Sequence, residues 1–534
     1  MTNSSSWDAL IVGGGHNGLV SAFYLAQAGL RTLVLEKNEQ LGGAAISEEF
    51  HPGYRNSVAS YAVSLLRPEI VEEMRLADYG YETRRLSTSF YPRTQGPGLL
   101  LTGDAAQDAR ELAALHPDAE RELDAFYAVI QEIGPVIADQ WLREPPQLHG
   151  GGLTDLLAGI RAGRAFKRLS ANGRQRLLQF LTGSARALIE RHFTHPQMRA
   201  MLGASSMSGN YASLHQPGSA LPLLHHAVGQ LDGKPGAWGI AIGGMGAITQ
   251  AMAAAARAQG ATLRTQAPVR RILTDQGRAS GVELESGEQL HARIVLANTD
   301  PKRTFLTLLG AAELPQAFAA DIRMIRQESA SLRMNLALRG LPDFSSRPGT
   351  QPGPQHRGFI VFIDSIDSVD DAFLSARAGQ MPVAPMIEAL IPSTTDPTLA
   401  QPGHHVMSLL CKYFPYELAN GGDWDSQREA ASELVIAQLR RYIRNLDEIL
   451  VARQILTPLD IERRFGMTRG DILHGRLEPD QLFSMRPHPQ AAQYATPVPG
   501  LYLCGSGSHP GGGVTGAPGH NAAKRVLADR RAGR

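Results

Sequence analysis

The 534-residue chain has only two cysteines, Cys411 and Cys504, far apart and in no CxxC pair. A disulfide framework, a thiolate zinc site, an iron–sulfur cluster and a dithiol redox centre therefore lack ligands, no metal site is expected, and a reducing compartment is the expectation. Charge of one sign is lacking too. The 52 Lys and Arg residues against 51 Asp and Glu leave a formal net charge of +1, without the basic excess that neutralises nucleic-acid phosphates, so no nucleic-acid partner is expected. The longest apolar runs, such as 19–30 and 251–256, fall short of the roughly 20 residues that span a bilayer. Residues 1–6 carry neither a positive region nor an apolar stretch, so we expect no signal or transit peptide and a cytoplasmic location.

What is present is enough apolar sequence, 43% of the chain, to build one large enzyme-sized body or two domains. Residues 9–12, 13–18, 19–28 and 31–35 read as strand, glycine turn, helix and strand. An acidic helical stretch covers 104–134. A basic one covers 151–192, where Leu153, Leu156, Leu157 and Ile160 recur at helical spacing. That segment is either a solvated helical face or a patch that meets anionic lipid heads. A helix over 246–259 leads into β segments at 261–265, 269–274, 279–285 and 294–297, read together as a meander. Residues 306–480 mix helices and strands around a Pro- and Gly-rich loop at 343–358. The chain then repeats its opening grammar: a strand at 500–504, a glycine-rich loop at 505–519 and a helix at 520–530.

The segment Gly13-Gly14-Gly15-His16-Asn17-Gly18 fits GxGxxG between a strand and a helix, and Glu36 closes the second strand 18 residues after Gly18. Gly13 suits the tight turn, Gly15 the close approach of a pyrophosphate and Gly18 helix packing, with the negative charge on the helix N-terminus and Glu36 on the ribose diol. His16 in this turn and His509 in the late glycine loop are candidates for hydrogen bonds near the cofactor, and Asn17 and Lys37 flank the same contacts. NAD needs only this unit. Gly42 and Gly43, together with the distant Gly505–Gly519 loop, supply a second set of backbone contacts, which favours an extended FAD.

These residues carry a resemblance. Residues 8–45, 239–301 and 500–523 look like the FAD-binding segments of the phytoene dehydrogenase and carotenoid desaturase group of amine-oxidase-like flavoproteins. The stretches 413–419, 456–466, 480–482 and 501–507 are similar to one branch of it, called pyridine nucleotide-disulphide oxidoreductase domain-containing protein 2. The resemblance implies an α/β fold: a Rossmann-type FAD-binding domain with a β meander, interleaved with an α+β substrate domain. It places the FAD-binding segments at 1–103, 239–305 and 485–534 and the substrate segments at 104–238 and 306–484. It also implies noncovalent FAD, with Gly13, Gly15 and Gly18 on the pyrophosphate, Glu36 on the ribose and Gly42-Gly43 along the cofactor. Val269 would lie at the adenine, and Gly505, Gly512, Gly513, Val514 and Gly516 beside the flavin ring. A respiratory-chain component enters as a partner by resemblance, as does peripheral membrane contact.

The disulphide chemistry in that branch name finds no paired cysteines here and is set aside. Cys504 reads as a buried, inert thiol. Of the six lysines, only Lys302 and Lys412 suit the water-bridged lysine of amine oxidases. Residues 214–238 and 243–246 are expected to line an apolar substrate pocket. His215, His225 and His226 are acid–base candidates there, with His226 and His509 the two retained for catalysis. The expected activity is two-electron dehydrogenation or saturation of a carbon–carbon bond in a small apolar substrate, with oxygen or quinone as acceptor. Isomerisation, ketolation, amine oxidation and a flavin-bound regulatory role stand as alternatives.

Overall fold

The computed structural model describes residues 7–148 and 152–533, apart from the side chains of residues 153, 154, 226 and 227. Two seven-stranded sheets organise it. In the first, the apolar strand Trp7–Val12 lies between Thr32–Leu35 and Gln289–Ala297 in parallel pairing. Residues 9–12 are almost wholly buried, as parallel strands covered on both faces require. Leu501–Leu503 joins the far side of Gln289–Ala297, also in parallel. The strands come from three distant parts of the chain, so this sheet is discontinuous in sequence.

The helices His16–Gln27, Met245–Ala258 and Ala517–Arg531 cover one face of this sheet, and their Ala, Leu and Ile side chains share one core with it. Ser21 Oγ donates to the Gly519 carbonyl at 2.8 Å, pinning the first helix to the last. On the opposite face, Phe305, Leu308 and Phe318 pack against Leu10, Val12 and Leu35. The expected boundary at 305 therefore comes too early: Arg303–Gly310 and Gln316–Met324 complete the core of the first sheet. The meander is also smaller than expected. Val269–Asp275, Arg278–Leu284 and Gln289–Ala297 pair antiparallel, but Thr262–Arg264 is a parallel edge strand beside Thr32–Leu35.

The second sheet runs Leu450–Leu456, Ser331–Leu338, His405–Lys412, Met386–Leu390, Phe359–Phe362, Ser89–Tyr91 and Leu99–Leu101. Its last two strands come from before residue 103, so the expected limit of the first segment is too late; sheet pairing, not chain order, assigns them. A layer of helices from Ala105–Leu115 to Leu221–Ala227 packs over this sheet around Phe126, Phe180, Phe193 and Met201. The 343–358 loop is tied down. Asp343 pairs with Arg444 at 2.6 Å and accepts from the Gly349 amide at 2.8 Å, and the buried His356 donates through Nε2 to the Pro342 carbonyl at 2.9 Å.

Candidate functional site: a dinucleotide cleft opening into an apolar chamber

A cavity of about 1100 Å³ runs from the end of Trp7–Val12 into the space between the second sheet and the helical layer. The glycine turn shapes its first end. A Cβ on Gly18 would stand 2.3 Å from the Gly13 carbonyl oxygen, and one on Gly14 would stand 2.6 Å from Leu41 Cδ2, so helix and strand meet only without side chains there. Gly13, Gly15 and His16 lie on the wall. Gly18 and Asn17 lie behind it, Asn17 donating through Nδ2 to Ser506 Oγ at 3.2 Å. The helix His16–Gln27 has no acidic residue in its first turn, leaving its N-terminus open to an anion.

Glu36 closes the adjoining strand and is buried on the wall. Its Oε2 accepts from the Gly14 amide at 2.8 Å and its Oε1 from the Asn38 amide at 2.9 Å. The carboxylate is thus oriented by backbone, with lone pairs left for a diol. Lys37 and Val269 share this end of the cavity. Lys37 Nζ donates to the Arg463 carbonyl at 2.9 Å, and burial with the nearby Arg303 lowers its pKa. Gly43 is on the wall; Gly42 sits behind it, its amide donating to the Gly14 carbonyl at 2.9 Å.

The late glycine loop approaches from the last strand. Gly513 and Val514 reach the wall with Ser506, Val514 at φ +58°. Gly505, Gly512 and Gly516 support the loop from behind: a Cβ on Gly505 would stand 2.8 Å from the Asn298 carbonyl oxygen, and one on Gly512 would stand 2.9 Å from Leu473 Cδ2. The buried Arg486 braces the same loop, donating through Nη2 to the carbonyls of Leu473 at 2.7 Å and Ser506 at 2.9 Å.

Three wall residues at this end carry no local sequence signal: Asn298, Arg303 and His474. The first two follow the long strand Gln289–Ala297, and His474 arrives from a loop more than 170 residues later. Their shared position is a product of sheet pairing.

His474 Nδ1 and His16 Nε2 are enclosed in protein without a hydrogen-bond partner. Burial, with His474 beside it, lowers the His16 pKa to about 3. Two unpartnered imidazole nitrogens beside a glycine turn and a helix N-terminus fit the donors and acceptors of a bound dinucleotide.

The other half of the cavity is apolar, walled by Phe126, Ile130, Leu202, Leu223, Trp238 and Phe359. Part of the expected 214–238 stretch is on this wall. Residues 243–246 are not: the Met245 amide donates to Ser57 Oγ at 3.0 Å and the Gly246 amide to Ser47 Oγ at 2.9 Å, so this turn anchors a helix instead. No residue of the 343–358 loop reaches the wall.

His509 needs correction as a catalytic candidate. It lies off the wall, buried, with Nε2 donating to the Gln140 carbonyl at 2.9 Å, and burial lowers its pKa to about 4. The side chain of His226 lies outside the described residues. His225 packs on Trp141 with ring centroids 5.0 Å apart, and His215 is exposed 3.5 Å from Asp370. Neither Lys302 nor Lys412 is on the wall. Lys412 is fully buried, with Nζ donating to the carbonyls of Asn210 and Ser329, both at 2.8 Å. Cys411 and Cys504 are buried free thiols, each pushed up to about 12 by burial.

Residues 11–74 match the NAD(P)-binding Rossmann-like domain family. The fold is similar to that of cyclohexylamine oxidase from Brevibacterium oxydans, with a TM-score of 0.58, 14% identity and coverage of 99% of this chain and 100% of that one. The sequence is 24% identical to a lycopene-forming phytoene desaturase from a Paracoccus species, over 96% of this chain and 95% of the relative. Fold and cleft are those of a dinucleotide-binding oxidoreductase with the architecture that cyclohexylamine oxidase shares. Identity reaches 37% with pyridine nucleotide-disulfide oxidoreductase domain-containing protein 2 of Mus musculus, over 98% of this chain and 94% of the relative. The chain belongs to that family. Among the described residues no helix is long and apolar enough to cross a membrane, and no cluster of His, Cys, Asp and Glu could hold a metal ion.

Proposed function

We propose that the protein removes or adds two hydrogens at a carbon–carbon bond of an apolar substrate. The observation that carries this reading is the continuity of one cavity from the glycine turn into a chamber of aliphatic and aromatic side chains. FAD bound along Gly13, Gly15, Glu36 and Val269 would supply the two-electron acceptor or donor. The protein's own contribution is shape and exclusion of water: Phe126, Leu202, Trp238 and Phe359 hold an apolar chain by contact area, with few polar groups to fix its orientation. The buried Cys411 and Cys504 support a route without thiol–disulfide exchange.

Oxygen or a quinone is the electron outlet we propose. Leu156, Leu157 and Ile160 are 60%, 60% and 42% exposed on the helix Leu153–Arg168, beside Arg161, Arg164 and Lys167. They support contact with an anionic lipid surface, read by co-sedimentation with phosphatidylserine vesicles.

The test of the activity is spectroscopic. Purified holoprotein should show flavin absorbance, release FAD on denaturation and bleach anaerobically on mixing with a dehydrogenatable apolar substrate such as a terpene; in the saturating direction, prereduced flavin should regain its absorbance on mixing with the unsaturated partner. A chain that cannot be loaded with FAD, or a flavin that responds only to amines, contradicts the reading.

A further inference from the structure

One carboxyl group stands in the apolar chamber. The second sheet aligns Val361, Glu388 and Leu410 as cross-strand neighbours, with Arg333 the next in the same row. Val361, Glu388 and Leu410 all line the cavity. Strand pairing would accept an aliphatic residue at 388 as readily as at its two neighbours, and burying a carboxyl without a task is costly. Among the described lining residues, the other carboxylates, Glu36 and Glu285, sit at the nucleotide end with Lys37 and Val269.

The group is held in place. Tyr61 Oη donates to Glu388 Oε2 at 3.0 Å and Ser208 Oγ donates to Oε1, and both donors line the cavity. Each carboxylate oxygen thus accepts one of these bonds and has capacity for another. Arg333, 1% exposed, lies with its guanidinium carbon 4.5 Å from the Tyr61 ring centroid and donates through Nη2 to Ser408 Oγ at 2.6 Å. Its Nε and Nη1 are buried without a hydrogen-bond partner. Burial leaves the Glu388 pKa raised, against the opposing pull of the bonds from Ser208 and Tyr61 and the charges of Lys412 and Arg333.

Two cations on the protein side, Arg333 and Lys412, act on the carboxylate. An ammonium group would bring a further buried positive charge beside them, whereas a neutral hydroxyl would add one hydrogen bond at little desolvation cost. We propose that Glu388, with Tyr61 and Ser208 positioning it, forms a polar subsite that takes the hydroxyl group of an otherwise apolar substrate. The substrate class narrows from a hydrocarbon to an alcohol with an extended apolar body. This rests on the reading of the cavity as an FAD and substrate site.

The test uses the FAD-loaded protein titrated with 1-decanol, decane and decylamine, following the shift in flavin absorbance. Decanol should bind about tenfold tighter than decane, the size of one hydrogen bond to a charged acceptor, and tighter than decylamine. Glu388→Leu should erase the preference for decanol over decane, while Glu388→Gln, which keeps the shape, and Tyr61→Phe, which removes the bond that positions the carboxylate, should each reduce it. Decanol that binds no tighter than decane, or that keeps its preference in Glu388→Leu protein with full flavin content, overturns the subsite. Tighter binding of decylamine overturns the assignment of a neutral group. Flavin content, measured separately for every variant, separates the two readings. Full flavin without discrimination removes the subsite alone, and a chain that takes no flavin removes the cavity reading beneath it.

Discussion

Asn298 Nδ2 donates to the Gly13 carbonyl oxygen at 3.1 Å, joining the end of one central strand to the turn that follows its neighbour across 285 residues. The same amide nitrogen would lie 2.9 Å from a Cβ on Gly15 and 3.0 Å from one on Gly18. It therefore sets the gap through which a pyrophosphate approaches the turn. Asn298→Ala should weaken flavin retention about tenfold, the worth of one buried hydrogen bond, as read by FAD released per chain after dialysis. Retention equal to wild type would show that the turn holds its shape unaided.

Gly15 is the more severe case. Gly15→Val sets branched carbons against Asn298 and into the cavity, a change expected to yield colourless protein that still folds, since overpacking here costs about 1–3 kcal/mol. The absorbance ratio at flavin and protein wavelengths, with circular dichroism as the control, checks it.

Arg486 joins the 473–481 loop to the flavin-side loop through the carbonyls of Leu473, Gly475, Arg476, Gln481 and Ser506. Arg486→Met leaves those acceptors buried without their donor and should cost about 3 kcal/mol or more in urea unfolding. Arg486→Lys should recover little of it, because an ammonium group cannot reproduce the planar spread of guanidinium donors.

His509 makes stability sensitive to acid. Burial lowers its pKa from 6.5 to about 4, so the unfolded chain takes up a proton that the folded chain refuses. Its contribution is intact above pH 6.5 and declines as pH falls toward 4, reaching a loss of about 2–3 kcal/mol near pH 4.5. His509→Gln should flatten that part of the profile in denaturant titrations at pH 7, 5.5 and 4.5. An unchanged slope would show that other groups carry it.

Thiol chemistry offers an independent check. Cys411 and Cys504 are both fully buried, so Ellman's reagent should find no thiol in native protein and two after unfolding. The Cys411→Ser, Cys504→Ser double variant should retain flavin reduction.

What the sequence made legible was local. The Gly13–Gly18 turn declares itself because strand, turn and helix are consecutive, and Glu36 follows at a spacing set by one helix. Asn298, Arg303 and His474 carry no such mark, since a residue after a long strand or in an irregular loop joins a site only through pairing that single-sequence periodicity does not encode. Glu388 was hidden differently: inside Met386–Leu390 it is one polar residue in an apolar strand, and only the register beside Val361 and Leu410 reveals which wall it occupies. His509 shows the converse. Its place in a glycine loop suggested cofactor contact, while its ring turns to Gln140.

The scattered origin of the first sheet also governs when the protein can acquire its cofactor during synthesis. Leu501–Leu503 and the wall residues Gly513 and Val514 leave the ribosome long after the opening turn has emerged. The early strand, turn and helix must therefore wait, with their apolar faces uncovered, for partners nearly 500 residues away. Such non-local closure is slow and exposes nascent surface to aggregation, so flavin loading belongs to the end of translation, and a supply of FAD should raise the yield of folded chain more than it raises the rate at which folding begins.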